Sequence, residues 1–220
     1  MNISELLEGT GIIPVVVIEN ASRAVPTAKA LLLGGIRTME ITFRTACAAD
    51  AIRAVAESVP EMLVGAGTVL TVEQAVRAKE AGARFIVSPG YDDHVVAYCV
   101  SEGIPVIPGC VTPTEIMRAL SRGLTIVKFF PANLYGGLPA IKGLASVFRN
   151  IRFVPTGGIG PDDIGTYLSQ PYIFAVGGSW LCTSADIAEG NYERITEFAR
   201  QASASVAHTK QEISNIRITP

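Results

Sequence analysis

The chain is poor in the residues that build metal centres. Its 220 residues hold four cysteines, Cys47, Cys99, Cys110 and Cys182, with no CxxC spacing, and two histidines, His94 and His208, far apart. This excludes the common structural zinc patterns and fits reduced thiols, each read as a small apolar side chain. Charge is scarce too: 17% of residues are charged, and 18 basic against 20 acidic residues leave a formal net charge of -2. Such a balance offers no general attraction for nucleic acid or anionic lipid, so any anionic ligand must be held locally. No apolar run approaches the ~20 residues that span a bilayer, and Glu5 and Glu8 stand where a secretory signal would want positive charge. A cytoplasmic protein with neither nucleic-acid nor membrane partners is expected. Apolar residues are plentiful: a 49% hydrophobic fraction and a mean hydropathy of +0.36 support one large core and argue against disorder.

Short β-branched runs recur at Ile12–Ile18, Thr38–Thr42, Met62–Gly65, Arg84–Val87, Ile104–Ile107, Thr125–Phe129, Arg152–Pro155 and Ile173–Val176. Helix-compatible stretches lie between most of them, including Ala21–Leu33, Ala46–Ser58, Thr71–Ala81, Asp92–Glu102, Thr112–Ser121 and Pro161–Leu168. This alternation, at roughly 20 to 25 residues per unit, is that of an α/β protein with a parallel sheet. Ser22 and Thr71 are expected N-caps, the latter with Gln74 at capping-box spacing. Gly34-Gly35, Gly82, Gly103 and Gly123 follow helical runs as stops, and the phrases around them read as one helix-to-strand junction reused. Eight units favour a closed (β/α)8 TIM barrel over an open doubly wound sheet, because no GxGxxG follows the first strand and Gly-rich turns follow several strands. The expected barrel domain is 1–202, with 203–220 a polar C-terminal extension of uncertain order.

Three segments look wrong for a core. In Met39-Glu40-Ile41-Thr42-Phe43-Arg44, period two puts Glu40, Thr42 and Arg44 on one face and the apolar residues on the other. The apolar set suits the helix layer, so Glu40 turns inward; a buried Glu40–Arg44 ion pair is the structural explanation, a catalytic carboxylate the functional one. Of five lysines, only Lys128 sits mid-strand in an apolar run, Thr125-Ile126-Val127-Lys128-Phe129-Phe130-Pro131. Burial favours the neutral amine, the nucleophilic form, although a lysine at a strand end can also snorkel to water. Finally, Thr156-Gly157-Gly158 and Gly177-Gly178-Ser179 follow the seventh and eighth candidate strands, where barrels often bind phosphate through backbone N–H groups. Gly65-Ala66-Gly67-Thr68 and Ser88-Pro89-Gly90 close two further strands with small residues that leave room for a ligand. Trp180 reads as packing and His94 as a helix-surface residue.

Together, Glu40-Ile41-Thr42-Phe43-Arg44-Thr45, Gly65-Ala66-Gly67-Thr68-Val69-Leu70, Ser88-Pro89-Gly90, Lys128-Phe129-Phe130-Pro131-Ala132, Pro155-Thr156-Gly157-Gly158-Ile159 and Gly177-Gly178-Ser179-Trp180-Leu181 resemble the bacterial 2-keto-3-deoxy-6-phosphogluconate / 4-hydroxy-2-oxoglutarate aldolase family. The resemblance implies a trimeric class I aldolase that needs no cofactor beyond a covalent Schiff base on Lys128. It implies reversible cleavage of a phosphorylated 2-keto acid to pyruvate and D-glyceraldehyde 3-phosphate, and also cleavage of 4-hydroxy-2-oxoglutarate. By the same resemblance Lys128 is the Schiff-base lysine and Glu40 the acid/base. Arg44 and Thr68 bind the carboxylate, Phe130 packs beside the Schiff base, Pro89 and Thr156 line the pocket, and Gly157, Gly158, Gly178 and Ser179 hold phosphate. Family members specific for phosphogalactonate generally lack the residues placed like Arg44 and Thr156. Asn133-Leu134-Tyr135 departs from the more usual small, acidic or polar filling, and Cys110-Val111-Thr112-Pro113 also varies from commoner forms. A phosphosugar isomerase or epimerase would use the glycine loops and Glu40 but leave Lys128 without a role. A non-catalytic phosphate-ligand binding barrel would need Lys128 and Glu40 merely paired.

Overall fold

A computed structural model describes residues 3–218. Its strands are β1 (Ile12–Val16), β2 (Thr38–Thr42), β3 (Leu63–Gly67), β4 (Ile86–Val87), β5 (Val106–Ile107), β6 (Ile126–Phe129), β7 (Arg152–Pro155) and β8 (Val176–Gly178). Its helices are α1 (Ile3–Leu6), α2 (Ala24–Leu33), α3 (Ala48–Ser58), α4 (Val72–Glu80), α5 (Asp93–Ser101), α6 (Pro113–Ser121), α7 (Gly137–Val147), α8 (Ile164–Leu168), α9 (Ser184–Glu189) and α10 (Tyr192–Ile218). The α/β alternation expected from the sequence is present, and each strand pairing is parallel. A six-stranded curled sheet runs β5-β4-β3-β2-β1-β8, and β6 and β7 form a separate pair. Isolated bridges Gly109↔Lys128, Phe153↔Ile173 and Thr156↔Gly177 lie between the two sheets.

The reused junction has a physical identity. Gly35, Gly82, Gly103 and Gly123 all have positive φ, between 66° and 93°. The residue after each donates its N–H five residues back: Ile36 to Leu31, Ala83 to Ala78, Ile104 to Cys99 and Leu124 to Ala119. That is the Schellman closure, with an apolar or small residue turning into the next strand. Thr71 caps α4 as expected, accepting from the Gln74 N–H at 3.2 Å, while Gln74 reaches back to the Leu70 N–H at 2.7 Å. Ser22 is not a cap. Asn20 takes that role, its carboxamide oxygen accepting from the Ser22 N–H at 3.0 Å.

Period two sorts the strands as expected. Met39 and Ile41 join the large core between sheet and helices. Ile13, Phe85, Val87, Ile107, Ile126, Val154 and Ala175 form a second cluster, joined by Ile3 from α1 and by Leu7. Ile126 begins β6, Ile13 is second in β1, and Phe85 and Ala175 immediately precede β4 and β8, so much of this cluster lies toward the N-terminal ends of the strands.

Two expectations are corrected. The eighth strand lies at Val176–Gly178 rather than Ile173–Val176, so Gly177 and Gly178 are strand residues and not a following turn. The segment from 203 is helical: α10 crosses the expected boundary at 202 without a break and buries Val206 and Thr209. Val206 covers Gly11 and Ser203 covers Gly35, so this stretch is fastened to the start of β1 and the end of α2. Residues 219–220 of the expected extension lie outside the described residues.

Candidate active site

The two side chains that looked anomalous meet. Lys128 in β6 and Glu40 in β2 are 88 residues apart, yet Lys128 Nζ donates to Glu40 Oε1 at 3.3 Å. Both are buried, at 5% and 3% relative exposure, which excludes a snorkelling lysine. Arg44 is exposed and forms no ion pair among the described residues, so the Glu40–Arg44 pair is absent. The sequence offered the nearer partner, and the topology supplied a distant one.

Close backbone approach makes room for the pair. Glu40 is in register with Gly65 and Thr42 with Gly67. A Cβ on Gly67 would lie 2.0 Å from Glu40 Oε1, and one on Gly65 would lie 2.3 Å from the Phe85 ring. Gly65-Ala66-Gly67, read from sequence as a strand-closing turn, is therefore part of β3 itself. Its glycines sit where the carboxylate and the ring must pack. Gly109, bridged to Lys128, has the Pro89 carbonyl oxygen 2.1 Å from where a Cβ would be. The Pro89 backbone is thus held against Gly109, the residue that bridges to Lys128. The signal that could have shown this was glycine repeated along β3 and placed just beyond β5.

The remaining expected residues gather at the C-terminal strand ends. Lys128 Nζ stands 5.5 Å from the centroid of Phe130, and a Cβ on Gly157 would touch the Phe130 ring at 3.4 Å. Thr156 is buried just after β7, its Oγ1 lying 2.1 Å from the Cβ position of Gly177. Gly157 and Gly158 have φ of 95° and 74°. Thr68, half-buried after β3, is the one non-glycine residue with positive φ among the described residues, at 54°. Such a conformation is held only where surroundings enforce it and is enriched at ligand sites. Gly178 ends β8 facing Ile12, Leu181 and Trp180, on the helix-layer side, and Ser179 beyond it is exposed. All of these open on one face because the strands are parallel.

The other features fall outside this cluster. Trp180 packs edge-on against Phe198 of α10 at 5.8 Å, and His94 is exposed in the first turn of α5. Burial pushes the Cys99 thiol up to about 12, and raises those of Cys110 and Cys182 as well. No group of three or more metal-binding side chains occurs among the described residues. No described helix is long and apolar enough to cross a membrane. A cavity of about 750 Å³ is at the opposite end, lined by Gly9, Gly11, Arg152, Ile173, Phe174 and Lys210 among others. Apart from Lys210 of α10, these residues precede or begin β1, β7 and β8. The cavity is the cleft left where α10 overhangs the strand starts, whereas chemistry on parallel α/β scaffolds collects at the carboxyl ends.

Fold and site together define an α/β enzyme whose reactive groups gather where parallel strands end. The chain belongs to the KDPG and KHG aldolase family, whose model matches residues 3–198. It is an aldolase, a lyase. It is 49% identical over 201 residues to the 2-dehydro-3-deoxy-phosphogluconate aldolase of Treponema pallidum, covering 91% of this chain and 96% of the relative. The 2-keto-3-deoxy-6-phosphogluconate aldolase of Zymomonas mobilis, solved with 3-phosphoglycerate, superposes with a TM-score of 0.85 at 42% identity, covering 91% of this chain and 94% of that one. The Legionella pneumophila KDPG aldolase, solved with pyruvate as a covalent carbinolamine intermediate, gives 0.86 at 38% identity, covering 90% and 96%.

Proposed function

We propose that the chain is a class I aldolase that reversibly cleaves 2-dehydro-3-deoxy-6-phosphogluconate to pyruvate and D-glyceraldehyde 3-phosphate, and 4-hydroxy-2-oxoglutarate to pyruvate and glyoxylate. The observation that carries this reading is the buried Lys128–Glu40 contact of 3.3 Å. It puts an amine and a proton carrier within one hydrogen bond of each other, the spacing that nucleophilic catalysis with a general base requires.

Lys128 attacks the C2 ketone. Glu40, directly or through a water, takes the ammonium proton and returns one to the oxygen that leaves as water, giving the iminium. The iminium then accepts the electron pair of the C3–C4 bond as Glu40 removes the C4 hydroxyl proton, releasing the aldehyde and leaving an enamine. Protonation of the enamine and hydrolysis return pyruvate and the free lysine. Arg44, exposed at the mouth, clamps the substrate carboxylate with Thr68 and so fixes the reacting carbons. Phe130 covers the Schiff base, and Pro89 and Thr156 wall the pocket. Gly157, Gly158, Gly178 and Ser179 hold the phosphate through backbone N–H groups. No cofactor is needed, since the iminium is the electron sink.

The same reading takes the eight strands as a closed barrel. It is supported by the three bridges between the two sheets and by β2 and β6, from different sheets, meeting side chain to side chain. A cytoplasmic homotrimer completes it. Exposed large apolar residues, among them Leu70, Met117, Leu134 and Tyr135, are what such an interface would cover.

The test is incubation with pyruvate and sodium borohydride, followed by intact-mass and peptide mapping, with Lys128→Arg as control. A pyruvyl adduct on Lys128, absent from the variant, is expected. Folded protein that forms no adduct would overturn the reading in favour of an isomerase or a ligand-binding barrel.

A further inference from the structure

We infer that Asn133 is a specificity residue whose side-chain amide donates to the phosphate of the substrate; the inference rests on the functional reading above and adds a residue to it. Three observations lead there. First, the loop after β6 lies directly on the loop after β7: the Ala132 N–H donates to the Thr156 carbonyl at 2.8 Å and the Asn133 N–H to the Gly157 carbonyl at 3.1 Å. The two loops form one shelf. Second, a Cβ on Gly158 would stand 2.2 Å from both Cγ and Nδ2 of Asn133. The carboxamide therefore packs on the bare Cα of a phosphate-loop glycine, a place no other residue at 158 would leave open. Third, Asn133 is exposed, and its side chain makes no hydrogen bond among the described residues. Its amide is free to serve a ligand.

The chemistry of the loops gives that amide a task. The stretches 130–137, 156–160 and 177–182 contain no lysine or arginine. A phosphate seated among them is met by neutral donors alone, and Asn133 is the one carboxamide in the three stretches. A carboxamide N–H to an ionised phosphate oxygen is a charge-assisted bond, stronger than a neutral pair. The pyruvate half of the substrate, bound at Lys128, lies beyond its reach in the chemistry: losing the amide should weaken only substrates that carry phosphate.

The experiment compares kcat/KM for the phosphorylated aldol substrate with the rate of borohydride trapping by pyruvate, which has no phosphate. Asn133→Ala is expected to lower kcat/KM about tenfold, the low end for a hydrogen bond to a charged group at an exposed site. The loss should appear in KM, with trapping on Lys128 at the wild-type rate. Asn133→Asp, of equal size, should lower kcat/KM further by setting a carboxylate against the phosphate, and it serves as second variant should the alanine form fold poorly. Inhibition by inorganic phosphate should weaken in parallel in both. An unchanged ratio of phosphate-dependent to trapping rates in both variants overturns the assignment of Asn133 while leaving the aldolase reading intact. Failure of the wild-type chain to trap pyruvate at all overturns the functional reading itself, and the assignment with it.

Discussion

A single methyl group on Gly67 should disable the site without touching a reactive residue. The Cβ of Gly67→Ala would lie 2.0 Å from Glu40 Oε1, 2.4 Å from Cγ and 2.5 Å from Cδ, whereas ordinary contact begins at 3.4 Å. The carboxylate must therefore retreat by about 1.4 Å, the difference between the first and last of these distances. Glu40 is 3% exposed, so it has no open space to retreat into, and its 3.3 Å contact with Lys128 is what gives way. Gly67 is not among the positive-φ glycines, so alanine brings no backbone strain of its own and the effect is one of crowding.

Overpacking of this kind costs about 1–3 kcal/mol, or roughly 2–12 °C of melting temperature for a domain of this size. Misplacing a catalytic group by about 1 Å costs on the order of a hundredfold in rate. Gly65→Ala is the control. Its Cβ would strike the Phe85 ring at 2.3 Å, in the apolar layer below the pair, so a similar stability loss should come with trapping within about threefold of wild type. Pyruvate–borohydride trapping rates and thermal melts of both variants decide the matter. Gly67→Ala protein that traps pyruvate at the wild-type rate would refute the claim that Gly67 sets the position of Glu40.

Two further outcomes follow from burial. Lys128→Met leaves Glu40 buried without its partner and should cost about 3–5 kcal/mol, while Lys128→Met with Glu40→Leu should recover most of that loss, because the desolvation of both charges is removed together; urea unfolding of the single and double variants measures it. Burial lifts the Cys99 thiol from 9.0 to about 12. Between those values the unfolded chain releases a proton that the folded chain keeps, so stability holds below about pH 9 and falls as pH rises above it. Unfolding at pH 8 and pH 10 should show the decline, and Cys99→Ala should make it shallower.

What could be read from the sequence was what is encoded locally. The Schellman junctions were legible because a glycine and an apolar residue five and six positions into a turn carry the whole signal. The helix α7 was not, since Gly137, Pro139 and Gly143 mask its propensity, although the proline sits in the first turn, where its missing N–H is harmless. The final turns of α10 were missed for a related reason. Their Ser, Thr and Ala residues show little periodicity, and helix is enforced instead by Val206 and Thr209 docking on glycines of other elements. At the site, Glu40 and Lys128 were each legible as misfits in apolar strands, but their pairing was not, because it depends on β2 and β6 facing one another. Asn133 left no trace beyond an unusual filling of its loop, since its position on Gly158 is set by tertiary contact alone.

The distribution of side-chain size along the strands explains why the amine sits where it does. Ile13, Phe85, Ile107, Ile126 and Val154 form one apolar layer between strands, and Ile3 and Leu7 close it from below. Two residues beyond Gly65, Ile107, Ile126 and Val154 stand Gly67, Gly109, Lys128 and Thr156, and there Glu40 packs on Gly67, the Pro89 carbonyl on Gly109 and Thr156 on Gly177. Lys128 follows Ile126 by the same two-residue step, so it is the first side chain on β6 above the apolar layer. Its stem is packed from beneath and its amine is delivered to the carboxylate at the level where glycines have opened the space. A one-residue slip of β6 would turn Lys128 into the helix layer and bring Val127 or Phe129 inward. The register that buries the core is therefore the register that assembles the lysine and glutamate, and selection for a packed interior also selects the reactive geometry.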